Sequence, residues 1–326
     1  MTAHYPTSWR CSKTTIAPMR DRPLLTRTYK SGGNFMPEPQ SIYLHGQSAE
    51  ERSSHTETLK QRASDVAFIE LDCSLESSLR VKGTTGFDVS LRSDRQLMAF
   101  WQQRSATRAY LDITGLPHHV WAPLVRAAIK VPVPLSVIYV EPSNYAFSPS
   151  PTENEIFDLS ERIAGIGPLP GFTVLGDANE ETCLIALLGF EGTRFAHIRE
   201  HVQAANENII PVIGVPGFRP EYAFHAYLGN RVVLSDTKAW RNVRFARANC
   251  PFSLYFLLED ISRDMPRHAL KIAPIGTKPQ ALGAVLFSIL GGRTVELVYD
   301  HPIRKAQRTT GTDSLLVYDI YGFARN

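Results

Sequence analysis

Along most of the chain, short runs of apolar and β-branched residues alternate with stretches whose apolar positions recur every three or four residues. That pattern predicts strands followed by amphipathic helices. Ser41–Gly46 reads as a short buried strand leading through a glycine-containing turn into a helix start, and Val66–Leu71 as the next strand. Ala109–Asp112 follows as a strand, Val120, Leu124, Val125 and Ala128 then mark a helix face, and Val137–Val140 a further strand. The series restarts at Cys183–Leu188 and continues through Ile209–Val215 and Leu270–Ala273. A helix with Leu282, Val285, Leu286 and Ile289 on one side comes next, then a strand from Leu297. Strands alternating with helices imply an α/β fold with mainly parallel sheets and right-handed crossovers.

The two series share landmarks beyond their strands. Arg52 and His55 follow the first strand as Arg194 and His197 follow its later counterpart, and Tyr139/Pro142 close one series as Tyr299/Pro302 close the other. Generic βαβ resemblance explains matching strands but not matching polar landmarks at similar intervals. The sequence therefore predicts two tandem Rossmann-like units, 41–147 and 180–326, related by internal duplication. A connector over 148–179 opens with the turn-rich Ser148–Pro151 and continues as a helix over Glu153–Ala164, from the spacing of Ile156, Leu159 and Ile163. The second unit is longer by a helical insertion at about 235–267. Its closing run, Ser314–Tyr321, alternates as a last strand, with an edge position the expectation.

Composition narrows the class. Of 326 residues 43% are hydrophobic and 21% charged, which suits a packed core rather than disorder. The net charge of +3 is too small to imply nucleic-acid binding by itself. The run Lys238, Arg241, Arg244, Arg247 with Trp240 and Phe245 leaves that option open, although it equally describes the solvated face of a helix. Four scattered cysteines without CxxC spacing or nearby histidines argue against a metal site or a disulfide framework. They suit a reducing compartment, so a cytoplasmic protein without metal or cofactor is expected. No apolar run reaches the roughly 20 residues that a membrane span requires. The first 40 residues are basic and proline-broken, and are expected to form a flexible extension, with Met36 as an alternative start. There is no Gly-x-Ser-x-Gly elbow, HExxH or GxGxxG, which disfavours serine hydrolases, zinc proteases and NAD-dependent dehydrogenases.

In parallel sheets ligands bind off the carboxyl ends of the strands, so the residues there are the candidates. Gly276, Thr277 and Lys278 stand between strand and helix, where a close backbone approach, a hydroxyl and an ammonium would receive an anion. Asp112, Thr114, Gly115 and His118 occupy the matching turn of the first unit. Asp112 suits an amide cap or a ribose hydroxyl, and His118 and His119 either acid–base chemistry or plain surface positions. Gly189, Glu191 and Arg194 form a candidate phosphate clamp, unless Glu191 pairs with Arg194 in a merely structural turn. Gly46, Ser48 and Arg52 are the degenerate counterpart. Because the second unit keeps the lysine, a single working site is expected there, with the first unit as its opposite wall.

The strand–Gly-Thr-Lys–helix at Ile275–Lys278 resembles the ligand-contacting segment of CARF domains, Rossmann-like sensors of cyclic oligonucleotides in prokaryotic immunity. Asp112–Gly115 resembles a weaker version of the same strand-end motif, and two such units in one chain are similar in plan to fused SAVED domains. The likeness covers about a fifth of the chain, Ile275-Gly276 replaces the usual doubled glycine, and the sequence shows no segment that reads as a nuclease, protease or winged-helix effector. It implies Thr277 and Lys278 as ligand contacts. It also implies a binding module for a nucleotide or other phosphorylated ligand that signals to a separate effector in antiviral defence. Two alternatives stay open: a ring-nuclease-like enzyme using Lys278, Thr277 and Arg194 to stabilise charge, and a scaffold subunit whose sites are vestigial.

Overall fold

The computed structural model describes residues 25–30, 33–48, 50–75, 77–83, 88–104, 106–152, 155–175 and 180–325. Most of the expected N-terminal extension, residues 1–24, lies outside them. Within that extension Thr26–Lys30 is a strand, not flexible chain, and pairs antiparallel with Ser314–Asp319.

Each unit is organised around four parallel strands. In the first these are Ile42–Gly46, Ala67–Asp72, Ala109–Asp112 and Leu135–Val140; in the second, Thr182–Leu187, Ile209–Gly214, Ala269–Ala273 and Val295–Tyr299. Both units place them in the same spatial order: fourth, third, first, second. All neighbouring pairs within each set of four run parallel. The chain is thus a mixed α/β protein with two large sheets: the second is parallel except for Gly167–Pro168, whereas the first, against expectation, is mixed, with antiparallel strands flanking its parallel set on both sides.

Period-2 alternation explains how both sheets share one core. Leu44, Leu111 and Val137 of the first sheet, and Ile185, Val212, Ile272 and Leu297 of the second, belong to one continuous apolar cluster. Between the sheets this cluster takes in the helices His118–Lys130, Pro251–Asp264 and Lys278–Leu290. The alternate residues face outward into smaller clusters: Tyr43, Tyr110 and Ile138 on one side, Leu184, Ala186 and Val298 on the other.

Three segments depart from expectation. The closing strand Ser314–Asp319 does not extend the second unit. It inserts antiparallel beside Leu135–Val140 of the first sheet, interior rather than at an edge, with Leu315 to Tyr318 all buried. The reason is physical: a run apolar on both faces is satisfied only where both faces are covered. Behind it, Phe323 packs against Phe252 and Tyr255 of the second unit, at centroid distances of 4.6 and 4.9 Å. The connector carries no helix over its described part. Glu155–Phe157 pairs with Phe147–Thr152, and Ser160–Ile163 with Pro302–Arg304. Within 156–164 the buried residues are Phe157 and Leu159, two apart, so alternation prevails over three apolar positions that fit a helix equally well. The 235–267 block is helical over Pro251–Asp264, but Arg244–Ala246 is a strand on the second sheet, parallel to Ile209–Gly214.

No helix among the described residues is long and apolar enough to cross a membrane.

Candidate functional site

The carboxyl ends of both parallel sets meet at one cleft of about 110 Å3 internal volume between the units. Arg52, Arg194, Lys278, Arg304 and Arg308 line it, against the carboxylates Glu141 and Glu191. What each charge is already bonded to decides which are free for a ligand.

Lys278 is spent. Its side chain crosses from the second unit to the first and donates to the carbonyls of Ile113, Thr114 (2.7 Å) and Leu116 (2.8 Å). Burial, then Arg304 and Arg52, pull its pKa well down, but three carbonyls, each accepting one N–H hydrogen bond, favour the ammonium form. The expected phosphate contact is therefore an inter-unit tie with no proton left for a ligand. Thr277 is likewise committed: its hydroxyl donates to the Ala248 carbonyl (2.7 Å) and accepts from the Gln280 amide (3.3 Å), capping the helix Lys278–Leu290.

Arg194 forms a bidentate pair with fully buried Asp300, at 2.7 and 2.6 Å, and donates to the Ile275 carbonyl (3.0 Å). Glu191 is not its partner; that carboxylate accepts from the Leu159 amide (3.1 Å) and the Ser160 hydroxyl (2.9 Å). Arg52 in the first unit donates to Glu50 (2.7 Å), the Tyr139 hydroxyl (2.9 Å) and the Val140 carbonyl (3.0 Å). Arg308 also binds Glu50 (2.6 Å), and Arg52, Arg308 and Arg304 hold the Glu50 carboxyl far below its usual range despite burial. The matched arginines are thus structural anchors at equivalent strand ends.

The glycines serve backbone packing. A Cβ on Gly115 would overlap the Gly46 carbonyl oxygen, and one on Gly189 would lie 2.7 Å from that of Ile275. In both units the turns after the first and third strands touch, and small residues are needed for that contact rather than for a phosphate.

Asp112 is 2% exposed and accepts from the Tyr43 hydroxyl (2.9 Å), His55 Nε2 (2.9 Å) and the Thr114 amide (2.9 Å). Burial would raise its pKa, but the His55 charge and the hydrogen bonds bring it down to about 2. The other His55 nitrogen meets the Arg52 carbonyl at 2.9 Å, and Asp112 raises the imidazole pKa against burial. The Thr114 hydroxyl accepts from the Val140 amide (3.0 Å). Asp112 and Thr114 therefore brace the first unit. His197, the counterpart of His55 in the sequence, is exposed, so the repeated Arg-x-x-His does not repeat a role.

Of the cleft groups with bonding capacity left over, sequence reasoning singled out His118, but neither Arg304 individually nor Gln280 and Glu141. Arg304, on the strand Pro302–Arg304, makes no side-chain hydrogen bond among the described residues, and its nearest carboxylate is Glu50 at 3.6 Å. Burial and Arg308 lower its pKa to about 10. His118, 4% exposed, stacks on Tyr299 at 4.5 Å, and neither ring nitrogen has a partner among the described residues. Burial, then Lys278, Arg304 and Arg194, push its pKa well down, so it is neutral at pH 7. Gln280 is fully buried on the cleft wall, with Oε1 lacking a partner. Glu141, 2% exposed, accepts from Tyr139 (2.6 Å) and Tyr145 (3.1 Å), and burial raises its pKa to about 7. Around the mouth, Phe190 stacks on Phe157 at 4.4 Å, with Tyr222 edge-on at 5.2 Å.

Among the described residues no group of His, Cys, Asp and Glu is arranged to hold a metal ion. No protein-family model matches the sequence, and no curated protein matches it.

Proposed function

We propose that the chain is a binding module, made of a duplicated Rossmann-like unit, that holds a nucleotide or other phosphorylated small molecule in the cleft between its units. Arg304 carries this reading. This guanidinium lines the cleft, is partly exposed and makes no side-chain hydrogen bond among the described residues, so its donors are available to a phosphate for charge-assisted, bidentate contacts. The cleft's excess of cations over carboxylates, and the aromatic rings at its mouth, suit an anionic ligand with a flat ring. Duplication is supported by the common strand order, the paired arginines at equivalent turns and the contacting glycine turns. On the CARF and SAVED resemblance, such a module serves as the sensing subunit of a prokaryotic antiviral system, its occupancy read by a separate effector. A nuclease working through Lys278, Thr277 and Arg194 is disfavoured, because those groups are committed to the fold.

Calorimetric titration with nucleoside triphosphates, cyclic dinucleotides and cyclic oligonucleotides tests the proposal, using wild type and Arg304→Gln. Losing one charge-assisted phosphate contact of about 1.5–3 kcal/mol weakens binding roughly 10- to 100-fold. The denaturation midpoint is expected to change little, because Glu50 keeps its hydrogen bonds to Arg52 and Arg308. Absence of binding across the panel, or equal binding by Arg304→Gln, overturns the proposal.

A further inference from the structure

We infer that Gln280 is a specificity-determining residue of this cleft, selecting ligands whose ring presents an amino group over those presenting a carbonyl oxygen at the same place. The inference rests on the cleft being the ligand site, and adds what the ligand must carry there.

The orientation of the Gln280 amide is fixed by its surroundings. Its Nε2 faces the carbonyl of Ala246 at 3.3 Å, and a carbonyl only accepts, so nitrogen rather than oxygen must lie on that side. Oε1 consequently points the other way, from a fully buried side chain that lines the cleft, and it meets no donor among the described residues. A buried acceptor left without a donor is uncommon in folded proteins and calls for a partner. Oε1 lies close to Gly276, whose absent Cβ would sit 3.2 Å from it and 2.9 Å from the Leu188 carbonyl oxygen. Nε2 retains a second hydrogen, so the amide offers an acceptor and a donor side by side. That pair is complementary to an exocyclic amine next to a ring nitrogen.

His118, from the first unit, is the second buried polar side chain on the cleft wall without a partner. As a neutral imidazole it supplies one donor and one acceptor. Two such side chains, one from each unit, together with the rings of Phe190 and Tyr222, describe a pocket for a polar heteroaromatic ring. A ring with a carbonyl opposite Oε1 sets two acceptors against each other and leaves both without a donor, which is how polar pockets reject close analogues.

Two ligand pairs differ by amine against carbonyl: adenosine and inosine 5′-triphosphate, and cytidine and uridine 5′-triphosphate. Calorimetry or competition on the wild-type chain is expected to give at least tenfold tighter binding of an amino member than of its oxo partner. Gln280→Met, which keeps the bulk and removes both polar atoms, is expected to erase the preference while Arg304→Gln weakens both members together. Equal binding within both pairs, with Arg304→Gln still weakening them, overturns the role of Gln280 and leaves the cleft reading standing. Undiminished preference in Gln280→Met also overturns it. If neither these four compounds nor the cyclic nucleotides bind wild type, the cleft reading itself fails; binding of cyclic nucleotides without any of the four overturns the role of Gln280 and leaves the cleft reading standing. The wild-type comparison needs no variant, so the inference stays testable if Gln280→Met does not fold.

Discussion

Replacing Lys278 by Met separates a tie within the fold from a ligand contact. The substitution keeps the length of the side chain and removes the ammonium, leaving the carbonyls of Ile113, Thr114 and Leu116 without their donor. Each hydrogen bond to a charged group contributes about 1.5–3 kcal/mol, so three amount to roughly 5–9 kcal/mol before the cost of burying the ammonium. That cost is several kcal/mol, and removing one member of a buried charged arrangement typically destabilises by about 3–5 kcal/mol. A loss of about 3 kcal/mol is therefore expected. Urea denaturation followed by tryptophan emission measures it, because Trp101 and Trp121 are fully buried in the first unit, whose carbonyls Lys278 holds. A midpoint within about 0.5 kcal/mol of wild type, together with weakened ligand binding, would refute the tie and restore Lys278 as a ligand contact.

Three further outcomes follow from the same geometry. Asp112 has its folded pKa depressed to about 2 from 3.8, so its stabilisation is present above pH 4 and fades as pH falls towards 2. That shift corresponds to about 2 kcal/mol, and Asp112→Asn should flatten the acid limb of a pH series of urea midpoints. Glu141 has the opposite sign. Its folded pKa of about 7 lies above the unfolded 4.5, so the native state binds the extra proton and stability falls by roughly 3 kcal/mol as pH rises from 4.5 to 7. Glu141→Gln is expected to remove that slope in the same series, and an unchanged slope would refute the assignment. Gly115→Ala, whose Cβ overlaps the Gly46 carbonyl, should lower the melting midpoint more than Gly33→Ala, where nothing lies within 4 Å.

The α/β class and the position of most strands were legible in the sequence because alternation and helical spacing are local properties. Leu44, Leu111, Ile185 and Ile272, all within expected strands, lie in the shared core, and the turns after the first and third strands contained the glycines that their contact requires. The cleft at the strand ends followed from the topology, and Arg194, Gly276 and His118 do line it. Tertiary structure decided what those residues are bonded to. Lys278 looked like an anion-binding ammonium because its partners, the carbonyls of Ile113–Leu116, lie more than 160 positions earlier and leave no side-chain signature. Arg304 is one of three cations, with Lys305 and Arg308, in the short stretch His301–Arg308. It stands apart only because folding gives Glu50 to Arg52 and Arg308 and leaves Arg304 at 3.6 Å. Gln280 carried no signal at all. The return of Ser314–Asp319 to the first sheet, and the extended connector, were also decided at long range. Strand pairing is a choice among distant partners, settled by which pairing buries both faces of Leu315–Tyr318 and not by any local propensity.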